Sequence, residues 1–202
     1  MARSERGLDR LVNFSDATVA IAITLLILPL VEAADDLRTE SVLEFARTHS
    51  SLLVAFAVSF YVIGLFWLLH HRFFETVDDY TRPILVLDLV WLAGIVFIPF
   101  VANAVSATAA ERRDVDVLYI ATLAVVSGAL TAIQALYARH PEMLSVVDDQ
   151  DLALSSIPLV VLVVAGVLAW VAPGPGLLWL LLLLPGNVLE SRLRRRRTAR
   201  AA

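Results

Sequence analysis

Long apolar runs broken by short charged clusters dominate the chain, and neither a strand's period of two nor the sparse apolar stripe of a soluble helix accounts for them. A helix needs roughly 20 apolar residues to cross a hydrocarbon core, and six runs approach that length. They predict helices over about 8–31, 43–70, 83–107, 115–139, 151–172 and 176–190. The turn Pro173-Gly174-Pro175-Gly176 makes the last two an antiparallel hairpin. Pro185 and Gly186 interrupt the sixth, which leaves a kinked or partly crossing segment open. Residues 1–191 thus read as one six-helix, all-α membrane domain, and 192–202 as a basic tail.

Composition agrees with that pattern. Of the 202 residues, 59% are hydrophobic and mean hydropathy is +0.78, too apolar for a water-soluble globule. A net charge of −4 gives no footing for nucleic-acid binding. The basic cluster Arg192–Arg200 directly follows a hydrophobic run, as expected of an anchor on anionic headgroups. Disulfides and thiolate metal sites are excluded because the chain has no cysteine. All basic residues are arginine, and under six spans they sort unevenly between the two sides. Arg38, Arg47, Arg112 and Arg113 lie opposite the N-terminus and the rest lie with it, which places both termini in the cytoplasm of a cell-membrane protein. The opening arginines, apolar run and Glu32-Ala33-Ala34 also fit a cleaved secretory signal. Asn13, Ser15, Asp16 and Thr18 do not suit a signal's apolar core, so the run is read as a retained span.

The first predicted helix carries the most chemistry, because polar groups enter the bilayer there and each needs a partner or water. At about 100° per residue, Ala17, Ile21, Thr24, Leu25 and Leu28 share one stripe, which Arg10 and Phe14 extend toward the cytoplasm. Asp16 points to the other side and has to be satisfied within the subunit. Periodicity by itself favours close helix packing, in which a threonine hydroxyl bonds its own backbone, over a pore.

The run Arg10-x-x-x-Phe14-Ser15-Asp16, followed by Ala-Ile-Ala-Ile-Thr-Leu-Leu, resembles the signature that opens the first helix of the transmembrane protein 175 potassium channels. Phe66-Trp67-Leu-Leu-His70-His71-Arg72-Phe73 is similar to the end of that family's second helix, and Phe97-Ile98-Pro99-Phe100 to its third. The resemblance covers about residues 6–106. It implies a homotetramer of six-helix subunits in which four first helices surround a central potassium pathway, without a Thr-Val-Gly-Tyr-Gly filter and without a cofactor. Carried over by position, it assigns the narrowest apolar ring to Ile21, a threonine ring to Thr24 and further apolar rings to Leu25 and Leu28. The resemblance puts Ala20 where other members have serine, which weakens the expected selectivity over sodium. The Phe-Ser-Asp signature occurs once, so four chains are needed.

Arg10, Phe14, Ser15, Asp16, Trp67, His70 and His71 are expected to form one network at the cytoplasmic ends of helices one and two, holding the first helix or sensing protons. Adjacent histidines point about 100° apart on a helix, a poor start for a metal site. Asp88, shallow in the third helix, calls for a partner such as Arg10, His70 or Arg82. A proton-coupled transporter working through Asp16 and Asp88 is the main competing function. Transporters usually show repeats and matching broken helices, and only the sixth helix here looks broken. No nucleophile set, zinc motif or nucleotide loop appears at usable spacing, so an enzyme is not expected. No span carries arginines at every third position, so voltage sensing is not expected either.

Overall fold

The computed structural model describes residues 2–107 and 113–144, and these fold as α1 (Ala2–Leu25), α2 (Leu28–Ala33), α3 (Val42–Thr48), α4 (Ser50–Phe74), α5 (Arg82–Ala107) and α6 (Arg113–Tyr137). Short 3₁₀ turns cover Ala34–Arg38 and Pro141–Met143. Among the described residues, four segments are long and apolar enough to cross a membrane: Arg6–Arg38, Ser50–Phe74, Arg82–Ala107 and Asp114–Tyr137. The helices expected over 151–172 and 176–190 and the tail at 192–202 lie outside the described residues.

Helix is the natural state of these runs, because in hydrocarbon every backbone donor and acceptor must be paired within its own segment. Helix α5 is the centre of the packing and touches α1, α4 and α6. Its buried side chains Ile84, Asp88, Trp91, Leu92, Ile95 and Ile98 recur at three- and four-residue steps, so one broad face of the helix is covered. From α1 the core receives Val19 and Ala22, with Leu26 just past its end, from α4 Val62, Ile63 and Phe66, and from α6 Tyr119, Ile120, Leu123 and Val126. Lipid tails are as apolar as leucine, so close contact and polar pairs, rather than escape from water, hold such helices together. Two features of the core fit this. Gly94 of α5 lies so near α6 that a Cβ would collide with Val126, and Ser59 of α4 bonds the Tyr119 hydroxyl of α6 at 2.8 Å, both fully buried.

Two expected helices are broken where a continuous one was predicted. The segment 8–31 divides at Leu26–Ile27, because Pro29 has no N–H to offer the Leu25 carbonyl. The chain tightens there, with the Ile27 N–H donating to Thr24 O at 3.3 Å before α2 restarts. The segment 43–70 divides at His49. Helix α3 ends there and α4 begins at Ser50, while the His49 imidazole bonds Asp36 Oδ2 at 2.9 Å. Helix α3 starts on a capping box. The Ser41 hydroxyl accepts from the Glu44 N–H, and the Glu44 carboxylate accepts from the Ser41 N–H at 3.1 Å. Those Ser41 donors, the backbone N–H first, hold the Glu44 carboxyl below the ordinary glutamate range. The expectations at 83–107 and 115–139 correspond to α5 and α6 within a residue or two.

The end of the bundle that holds the start of α1 is tied together outside the helices. The Asp78 N–H donates to Met143 O at 2.9 Å, and Val77 and Leu144 form an isolated antiparallel bridge. The Tyr137 hydroxyl donates to Asp79 O at 2.9 Å. Tyr80 lies over Gly7 of α1, where a Cβ would come within 3.0 Å of its hydroxyl. Gly94→Val should cost about 1–3 kcal/mol through the collision with Val126. Its thermal unfolding in detergent, compared with that of Gly64→Ala at a site with open space, measures the cost.

Candidate functional site

Helix α1 has two contrasting faces. Leu8, Leu11, Ser15, Val19, Ala22 and Leu26, at steps of three and four, are buried against α4 and α5. On the other face Arg10, Phe14, Ala17, Ile21, Thr24 and Leu25 are exposed, and Leu28 continues the exposed line beyond the break. Ile21 is 63% exposed although it sits mid-span. The Thr24 hydroxyl donates to Ile21 O at 2.8 Å, which leaves its oxygen lone pairs on the exposed side. This is the local bonding expected of a threonine in a membrane helix, and it adds a second donor to a carbonyl just below the break.

Behind the exposed stripe, Ser15 and Asp16 grip two different helices. The Ser15 hydroxyl, fully buried, lies 2.8 Å from Asp88 Oδ2 on α5 and 3.0 Å from Leu11 O, so its single hydrogen has two acceptors. The other Asp88 oxygen, Oδ1, is 2.7 Å from His70 Nε2 on α4. Asp88 is 0% exposed and the His70 side chain 1%. Rings clamp the imidazole on both sides: Trp91 stacks at 4.1 Å and Phe74 at 4.4 Å between centroids. Breaking a buried pair of this kind by removing one partner typically costs about 3–5 kcal/mol.

The neighbouring residue Asp16, half-buried, accepts from Trp67 Nε1 of α4 at 2.9 Å. Trp67 stacks on His71 at 5.2 Å, and His71 Nε2 lies 3.5 Å from Glu75 Oε1. The single network expected from the sequence is therefore two, one buried and one at the surface. His70 and His71 belong to different ones because adjacent helical residues diverge by about 100°. Arg10 joins neither, being exposed and without a side-chain bond or ion pair among the described residues. Phe14 is likewise outside both networks. Asp88, expected near the start of its helix with a buried partner, is the hub of the buried set, and the partner is His70. The need of an intramembrane carboxylate for a partner was readable in the sequence, and His70 was among the partners considered. The Ser15 bond was not foreseen, because it depends on how α1 turns toward α5.

Serine, aspartate and histidine together invite comparison with a hydrolase, but the order is wrong. The carboxylate stands between hydroxyl and imidazole, so the imidazole does not reach the hydroxyl proton. Among the described residues no group of three or more histidine, cysteine or acidic side chains converges to hold a metal.

The fold and these anchors define a multi-pass membrane protein, all-helical over the described residues, whose polar core ties α1 to α4 and α5. Residues 10–99, a little under half of the chain, match the model of a family of ion channels described as the endosomal/lysosomal potassium channel TMEM175. A protein of Streptomyces collinus named as a potassium channel is 32% identical over 129 residues, 63% of this chain and 62% of that one. The human protein named as the endosomal/lysosomal proton channel TMEM175 is 23% identical over 138 residues, 68% of this chain and 27% of its own length. The matched part is thus under two thirds of the bacterial relative and about a quarter of the human one. The crystal structure described as a lysosomal potassium-selective channel TMEM175 homolog from Chamaesiphon minutus shares the fold. Its TM-score is 0.69 at 21% identity, covering 91% of this chain and all of that one.

Trp67→Phe keeps a ring on His71 and removes the donor to Asp16. A loss of about 1–3 kcal/mol should appear as a lower unfolding temperature in detergent, and an unshifted midpoint would show that the bond contributes no net stability.

Proposed function

We propose that this chain is one subunit of a potassium-selective channel in which four copies set their α1 stripes around a common axis. The observation that carries the reading is the two-faced α1. One face is packed and polar-anchored, and the other bares Ile21, Thr24, Leu25 and Leu28 along a membrane-spanning helix. Small residues at Ala17 and Ala20 on the bare side allow close approach between copies. The Streptomyces relative is named as a potassium channel and the Chamaesiphon homolog as a potassium-selective one, which supports the same permeant ion here.

In this reading Ile21 forms the narrowest ring. Isoleucine has no oxygen to replace an ion's hydration shell, so a tight ring opposes permeation by dewetting and a wider one passes partly hydrated ions. Potassium sheds water more readily than sodium, and the Thr24 oxygens, their hydrogens turned to Ile21 O, offer acceptors next to the constriction. Leu25 and Leu28 extend the apolar lining, and Ala17 widens it on the cytoplasmic side. The termini face the cytoplasm of the cell membrane, the arginine tail rests on anionic headgroups, and no cofactor takes part beyond the permeant ion.

A proton-coupled transporter through Asp16 and Asp88 is less well served. Asp88 is enclosed and committed on both oxygens, and Asp16 faces Trp67 rather than the stripe. The animal relatives are named as proton channels, so the permeant ion has to be separated in the test. Purified protein in a planar bilayer, with potassium on one side and sodium on the other at equal pH, should give unitary currents reversing toward the potassium equilibrium potential. Reversal that follows an imposed pH difference instead would make it a proton channel, and flux without unitary steps would favour the transporter. Thr24→Ala should lower the potassium-to-sodium permeability ratio several-fold with unitary currents retained. An unchanged ratio removes Thr24 from selectivity.

A further inference from the structure

Among the described residues a buried carboxylate plays no part in the proposed pore. Asp88 lies on α5, away from the exposed stripe, yet it is enclosed completely and joined to α1 and α4 at once. Ser15 and Asp16 are consecutive, so their side chains leave the α1 axis about 100° apart. One is held by α5 through Asp88 and the next by α4 through Trp67. A helix tied at a single azimuth can still roll about that tie. Two ties roughly at right angles remove the roll, and they also fix the height of the helix along its axis. Ile21 and Thr24 lie only two turns further along the same rigid element, before the break at Leu26–Ile27.

We propose that Asp88 is the positioning residue that sets the rotation of α1, and that it acts as a two-way hydrogen-bonding prop rather than as a proton carrier. The inference rests on the channel reading for its functional consequence: a change of roll turns Ile21 and Thr24 away from the axis and alters which oxygens an ion meets. The prop is itself held rigid. His70, which takes Oδ1, is fixed between the rings of Trp91 and Phe74, so Oδ2 is presented to Ser15 in one direction. The geometry also distinguishes a hydrogen-bonding role from a titrating one. An asparagine at 88 can accept from His70 through its carbonyl oxygen and donate from its amide to Ser15 Oγ, whose own hydrogen then goes wholly to Leu11 O, 3.0 Å away. Both links survive with the second reversed in polarity, whereas a proton carrier would be abolished.

The test uses the full-length chain with Ser15→Ala, Asp88→Ala, Asp88→Asn and the double variant Ser15→Ala/Asp88→Ala. The first readout is the potassium-to-sodium permeability ratio in planar bilayers. The second needs no current. The chain contains no cysteine, so single cysteines placed in turn at positions 20 to 25 report, by their rate of modification with a charged thiol reagent, which face of α1 meets water. Ser15→Ala deletes one oxygen and is the variant most certain to fold. It should shift the phase of the accessibility pattern around the helix and change the permeability ratio threefold or more. Asp88→Ala should do the same, the double variant no more than either alone, and Asp88→Asn should keep the parental pattern and ratio. An unshifted pattern in Ser15→Ala overturns the proposal. So does an Asp88→Asn variant as displaced as Asp88→Ala, which would make the charge itself the operative property. Absence of selective current from the parent protein would overturn the channel reading alone, and the accessibility scan would still decide whether Asp88 sets the roll.

Discussion

A carboxylate buried in the middle of a membrane bundle is the constraint around which the described helices are arranged. Asp88 cannot be left unpaired where neither water nor lipid offers a donor, so α5 has to bring it against partners from other helices. It finds them in His70 of α4 and Ser15 of α1. Meeting that requirement brings three helices into one register. The aromatic rings of Trp91 and Phe74 around His70, and the packing of Ile84, Leu92 and Ile95 along the same face of α5, then follow from a placement that the polar bonds have already restricted. In a medium that gives apolar faces little reason to prefer one another, directional bonds of this sort supply the specificity that burial supplies in water.

The same arrangement divides α1 into parts with separate duties. Up to Leu25 it is a straight helix with one face gripped and one free. Beyond the Leu26–Ile27 break, Pro29 and the short α2 carry the chain off toward the acidic 3₁₀ turn at Ala34–Arg38. The break comes one residue after the stripe position Leu25 and leaves Leu28 on a different element. The proposed rings at Ile21 and Thr24 therefore belong to the anchored half. Leu28 belongs to a segment whose backbone is hydrogen-bonded to the anchored half only through the tightened turn.

Similarity to the TMEM175 family joins this chain to proteins named for two different ions, potassium for the Streptomyces relative and protons for the vertebrate ones. Physical reasoning explains why a shared fold leaves that choice open. An apolar constriction with no fixed coordination cage discriminates by the cost of removing water and by the few oxygens beside it, and both respond to small changes in helix position. In the proposed channel the supports behind α1 matter to selectivity as much as the residues that face the ion.

Much of this was legible in the residues. Apolar runs of membrane length placed the described spans to within a few residues at α5 and α6, because run length and backbone self-pairing leave little choice in hydrocarbon. Helical period was enough to group Arg10, Phe14, Ala17, Ile21, Thr24, Leu25 and Leu28 on one face and to set Asp16 apart from them. The breaks at Leu26–Ile27 and His49 were not read. A proline in an apolar run is compatible with either a kink or a stop, and His49 ends α3 through its bond to Asp36, thirteen residues earlier. Partner choice was beyond the sequence altogether. That Asp88 takes both Ser15 and His70, and that Arg10 stands apart from the network, depend on the angles at which α1, α4 and α5 cross. Crossing angles are a property of packed surfaces, and no period along a single chain encodes them.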